Sequence, residues 1–176
     1  MPHPMNVDLS NERDMVLTRR LDAPRALVWK CWTEPEHLAV WWGPDGMINE
    51  VDQDLRHGGH QNVTMIDSEG NRYPVRMTVL EVEPERRLVT LIHTDDMAAD
   101  WHDSFARFAD GKTSGAPRIH MTVSMEDIRG GGTLLTVTQT FTSHAERDAN
   151  MKMGAEAGWR ESFEKLDTLL GRRTGD

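Results

Sequence analysis

Apolar and polar positions alternate with period two through most of the chain and with helical period at two places. Ile119, Met121, Val123 and Met125 oppose His120, Thr122, Ser124 and Glu126, and after Gly130-Gly131-Gly132 the residues Leu135, Val137, Gln139 and Phe141 oppose Leu134, Thr136, Thr138 and Thr140. Such alternation predicts strands with one buried and one wetted face. The same reading places strands at Met15 to Leu21, Met47 to Leu55, Gln61 to Ile66, Arg72 to Glu83 and Arg87 to His93, separated by Pro44-Asp45-Gly46, His57-Gly58-Gly59, Ser68-Glu69-Gly70-Asn71 and Pro84-Glu85. Short turns between successive strands predict an antiparallel meander.

The first helical stretch runs from Ala23 to Pro44 and holds four of the six tryptophans. Pro24 and Pro35 suit the opening turns of two short helices, where a missing N–H costs nothing. Leu27, Val28, Cys31 and Trp32 share one face of the first helix; Leu38, Trp41 and Trp42 share one face of the second. The other stretch is C-terminal. Ser143 and Glu146 form a capping-box signature, and Met151, Ala155, Trp159, Phe163, Leu166 and Leu170 follow as a stripe that ends at Gly171. A continuous helix of about 28 residues would be about 42 Å long. A stripe of that length needs a concave partner, which a curved antiparallel sheet supplies.

Four segments together span Met15 to Leu170: APRALVWKCWTEPEHLAVWWGP, DLRHGGHQNVTMIDSEGNRY, VLEVEPERRLVTL and GWRESFEKLDTLL. In order and spacing they resemble the START-like (SRPBCC) superfamily and, within it, the activator of heat-shock protein 90 ATPase homologue-like family. The resemblance implies an α+β helix-grip fold, with a seven-stranded curved sheet around a long C-terminal helix, two short helices after the first strand and a cavity between sheet and helix. Residues 14–171 would form the single domain, with 1–13 as a flexible tail. Residues 94–117 depart from the pattern as an inserted loop. Trp101, Phe105 and Phe108 predict a short helix there, Met97 to Ala109, before a flexible Gly111–Gly115 segment. Its expected roles are core patching, a lid over the cavity or a dimer contact.

A formal charge of −9 and scattered arginines, including the Arg19–Arg20, Arg86–Arg87 and Arg172–Arg173 pairs read as solvated surface, exclude a nucleic-acid partner. No run is long enough to span a membrane, and the polar N-terminus carries no export signal. One cysteine forms no internal disulfide, which points to the cytoplasm and, with Cys31 on an apolar face, to a core role.

The candidate ligand-binding residues are Trp41, Trp42, Met65, Tyr73, Met77, Met121, Met125, Gln139, Met151, Trp159 and Phe163 on predicted inner faces, with His93 and Trp101. Eleven methionines suit an adaptable apolar surface, though they equally suit an awkward core. Asn49, Gln61, Tyr73 and Gln139 share those faces, and a few polar groups in an apolar cavity orient a ligand. The function read from this set is binding of a small hydrophobic molecule, without cofactor, metal or evident catalytic residue. The alternatives are a cyclase, dehydratase or hydrolase using Tyr73, His93 and Gln139, and a chaperone-linked interaction module. A homodimer is compatible with each. His57, His60, His93 and His102 with nearby aspartates are a weak metal candidate, since HGGH lies on a turn. No nucleophile elbow, P-loop or dinucleotide fingerprint is present.

Overall fold

A computed structural model describes residues 3–113 and 115–174. Eight strands form one antiparallel sheet: β1 (Asn6–Asp8), β2 (Asp14–Leu21), β3 (Ile48–Asp54), β4 (His60–Ile66), β5 (Arg72–Glu83), β6 (Arg87–His93), β7 (Arg118–Asp127) and β8 (Thr133–Thr140). Their order across the sheet is β1-β2-β8-β7-β6-β5-β4-β3, so only β2 and β8 are neighbours distant in sequence. Helices α1 (Arg25–Thr33) and α2 (Pro35–Trp41) follow β2, α3 (Ala99–Phe108) follows β6, and α4 (His144–Lys152) and α5 (Ala155–Thr174) close the chain. The predicted α+β helix-grip arrangement is therefore present. Among the described residues no helix is long and apolar enough to cross a membrane.

The eighth strand comes from the segment read as a tail. Asn6, Val7 and Asp8 pair with Thr18, Leu17 and Val16. The buried Arg147 guanidinium holds this segment down, donating to the carbonyls of Leu9 (3.2 Å), Asn11 (2.8 Å) and Asp14 (2.9 Å). Met1 and Pro2 lie outside the described residues, as does Ser114 of the predicted flexible segment.

The alternating inner positions of the strands build the core: Met15, Leu17 and Leu21 on β2, Met77 and Val79 on β5, Met121, Val123 and Met125 on β7, and Leu135 and Val137 on β8. Phe163, Leu166 and Leu170 of α5 meet them. Arg19 also points inward. It is 4% exposed and pairs with Asp167 of α5, which corrects its assignment to solvated surface. Burial pushes the Asp167 carboxyl above its ordinary pKa even though Arg19 pulls it down.

The C-terminal helix is broken. The stripe from Met151 to Trp159 keeps its spacing of four across the break, so periodicity alone conceals it. Gly154 takes φ +90°, a left-handed conformation that a glycine adopts without steric cost, and ends α4. Met153 N–H bonds to Ala149 O (3.1 Å), and Gly158 N–H bonds to Gly154 O (3.1 Å) as α5 begins. In place of one helix of about 42 Å, α5 has 20 residues, or about 30 Å. The freed α4 packs on α3 through Ala149, Phe105 and Ala109, with Trp101, Phe108, Ala145 and Met153 around them.

Candidate functional site

A cleft of about 240 Å³ opens where the helix breaks. Its floor is the inner face of the sheet: Met65 on β4, Val75 on β5, Ile92 on β6, Ile119 on β7 and Gln139 on β8. Asn150 of α4 and Ala155, Gly158, Trp159 and Ser162 of α5 form the roof. Trp42, Gly43 and Pro44 close one end; Thr94, Met97 and Trp101 close the other.

Each wall has a local cause. The end formed by Gly43 follows from crowding: its φ is +83°, and a Cβ there would stand 2.7 Å from Met65 Sδ. Ser162 Oγ donates to Gly158 O (2.9 Å) and reaches Gly43 O (3.1 Å), tying this turn to α5. Lys165 Nζ donates to Pro44 O (3.1 Å), and its partial burial holds its pKa below the ordinary lysine value. Trp159 packs on Trp42 at 5.7 Å, on Trp32 at 6.4 Å and on Phe163 at 5.5 Å. Trp101 stacks on Phe105 at 5.0 Å with planes 11° apart. Helix α3 thus patches a small core with Phe105 and walls the cleft with Trp101.

Five of the thirteen expected binding residues line the cleft: Trp42, Met65, Trp101, Gln139 and Trp159. Trp41, Met77, Met121, Met125 and Phe163 are instead fully packed core, each at most 2% exposed. Met151 packs partly buried against that core, outside the lining. Two placements are corrected outright. Tyr73 has the inward parity of β5 but sits near its open end, 40% exposed, and its hydroxyl donates to Asp67 at 3.0 Å. His93 lies on the opposite face from the cleft, with Nε2 2.8 Å from Thr78 Oγ1. In RLVTLIH the apolar residues do not alternate, so the sequence leaves the phase of β6 open. Register resolves it: Ile92 pairs with inward Met77, and His93 with outward Arg76.

Tyr73, His93 and Gln139 therefore do not converge, and the acid–base set proposed for catalysis does not assemble. Burial, followed by the nearby Arg118 and Arg76 charges, holds the His93 imidazole below its ordinary pKa of 6.5. A depressed folded pKa contributes stability that is present above the unfolded value and is lost as pH falls through the folded one. The wild type should accordingly lose urea resistance below about pH 6.5 more steeply than His93→Gln. Parallel pH profiles of the two proteins would refute this.

The other polar expectations turn out structural. Asn49 Nδ2 donates to Ala39 O (2.9 Å) and Trp42 O (2.7 Å), and Gln61 Nε2 to Trp32 O (3.0 Å), so both cap the ends of α1 and α2. His57 Nδ1 donates to Leu80 O at 2.6 Å while His60 pairs with Asp52 at 3.3 Å, so HGGH gathers no metal ligands. Among the described residues only Glu34, Glu36 and His37 bring three ligand atoms together. His37 is already held between Glu34 and Arg173, both at 2.9 Å. Burial raises the Cys31 thiol to about 11, as befits a core residue.

The profile described as "Activator of Hsp90 ATPase homolog 1-like protein" matches residues 22–171. The chain belongs to that family. Solved structures similar to this AHSA1-like chain include one from Nitrosomonas europaea, 27% identical, covering 95% of this chain and 99% of that one with a TM-score of 0.75. An Arthrobacter aurescens structure is 22% identical over 96% of this chain and 91% of that one, with a TM-score of 0.77. An AHSA1 protein from Silicibacter pomeroyi is 22% identical over 91% and 99%, with a TM-score of 0.66. The last two speak to the fold alone. No curated protein matches the sequence.

The residues absent from the sequence-based set are informative. Ile119 and Ala155 belong to recognised stripes, Val75 shares the inward face of β5 with Met77, and Ile92 lies on a strand without alternation, so position alone separates these four from core. Thr94, Met97, Asn150, Gly158, Gly43 and Pro44 lie at turns, helix ends or the break, where no periodicity marks a face, and Ser162 lies inside α5 as a polar residue that an apolar stripe does not mark.

Proposed function

We propose that the protein binds a neutral, apolar small molecule in the cleft between β4–β8 and the α4–α5 break. The observation that carries this reading is the lining itself: sixteen described residues, none of them ionisable. A carboxylate or phosphate in such a space would lose hydration and gain no cation. The formal charge of −9 further disfavours anions. General acid–base catalysis has no proton carrier among these lining residues, so binding without turnover is the better-supported activity. The volume exceeds the roughly 150 Å³ of an apolar cavity that accepts benzene, and Trp42, Trp101 and Trp159 present broad aromatic surface.

Paired probes test this. At about tenfold excess over its dissociation constant a neutral ligand adds about 1.4 kcal/mol, or about 3–5 °C for a domain of this size. 2-Methylnaphthalene should raise the melting temperature by that amount while 2-naphthoate leaves it unchanged. Equal shifts from both, or none from either, would contradict the reading.

A further inference from the structure

Gln139 is the one polar side chain of the cleft floor, and its surroundings leave it under-used. It is 7% exposed and sits between Met15 and Met121 in the strand register. Among the described residues its amide nitrogen donates only to Met121 Sδ, at 3.8 Å, and a thioether is a weak acceptor. Its carbonyl oxygen has no partner among the described residues. The hydroxyls nearby are committed: Thr94 donates to Pro117 O at 2.7 Å, and Ser162 to Gly158 O at 2.9 Å. The amide faces the cleft and is presented to whatever occupies it.

Building on the ligand-binding reading above, we infer that the cleft is selective for an uncharged aromatic molecule bearing a hydroxyl, which pairs with the Gln139 amide while the ring lies against Trp42 and Trp159. A hydroxyl both donates and accepts, so it satisfies the amide in either of its two orientations. A carbonyl ligand would leave the amide oxygen unpaired. A carboxylate is excluded by the absence of a cation among the lining residues. Gln139 thus fixes ligand orientation, and the apolar walls supply most of the affinity.

The test compares 2-naphthol with its near-isostere 2-methylnaphthalene on the full chain, in the wild type, Gln139→Leu and Gln139→Met. Both probes should bind the wild type. The nitrogen-15 signals of the Gln139 side-chain amide should move with 2-naphthol and stay in place with 2-methylnaphthalene. In both variants the affinity ratio of naphthol to methylnaphthalene should fall about tenfold. If both probes bind but the amide signals respond alike and the ratio stays within twofold, the hydroxyl inference is overturned and the apolar cleft stands. If neither probe binds the wild type, the cleft reading itself is overturned and this inference with it. The amide signals need no variant, so a substitution that fails to fold leaves the test intact.

Discussion

Trp32→Ala is expected to cost about 4 kcal/mol of stability and to lower the melting temperature by about 8–16 °C. Trp32 is fully buried, with Trp41 at 4.7 Å, Trp42 at 6.2 Å and Trp159 at 6.4 Å around it. Truncation would leave a void among rings on α2, on its C-cap and on α5 that cannot all collapse into it. Trp32→Phe separates packing from polar effects. The indole N–H has no partner among the described residues, so phenylalanine sacrifices volume but no hydrogen bond. It should cost about a third as much. Urea denaturation of the two variants checks this, and equal losses would contradict the packing account.

Trp159→Ala should have the opposite balance. Its ring stacks on Trp32 with planes 20° apart, yet it is only partly buried and forms part of the cleft roof. A neutral aromatic ligand covering about 80 Å² of this ring gains about 2 kcal/mol at ~25 cal/mol/Å². Truncation is therefore expected to weaken binding of 2-methylnaphthalene about thirtyfold. The stability loss should be about half that of Trp32→Ala, because part of the ring already faces the cleft. Calorimetric titration at a temperature where the variant is folded measures the effect. Unchanged affinity would place the ligand elsewhere.

These neighbouring tryptophans also mark how far the sequence could be read. Strand positions with strict alternation, such as Ile119 to Met125 and Leu135 to Phe141, declare both their element and their buried face, and the helix-grip arrangement follows from them. Where alternation fails the face is undetermined, and the inward reading of His93 fails for that reason. The end of an element is a second limit. Tyr73 keeps the correct parity but lies beyond what the helices cover, so parity does not bury it. The third limit is tertiary. A stripe with spacing four cannot announce that Gly154 breaks it, and the break is what turns a packed sheet–helix interface into a cleft. Hence the aromatic and methionine-rich interior was legible as a set, but its division into core (Met77, Met121, Met125) and lining (Met65, Trp101, Gln139) was not. The short strand Asn6–Asp8 is invisible to periodicity because three residues carry no pattern, and its anchor, Arg147, lies 138 residues from Leu9 in sequence.

The central claim is that the cleft at the helix break, and not the packed interior beside it, receives an uncharged apolar ligand. Methyl-labelled methionine separates the two directly, because Met65 and Met97 line the cleft whereas Met125 is 2% exposed in the core away from it. On titration with 2-methylnaphthalene the Met65 and Met97 methyl signals should shift saturably while Met125 holds its position. A uniform drift of all methyl signals, or none at any concentration the probe allows, would contradict the account.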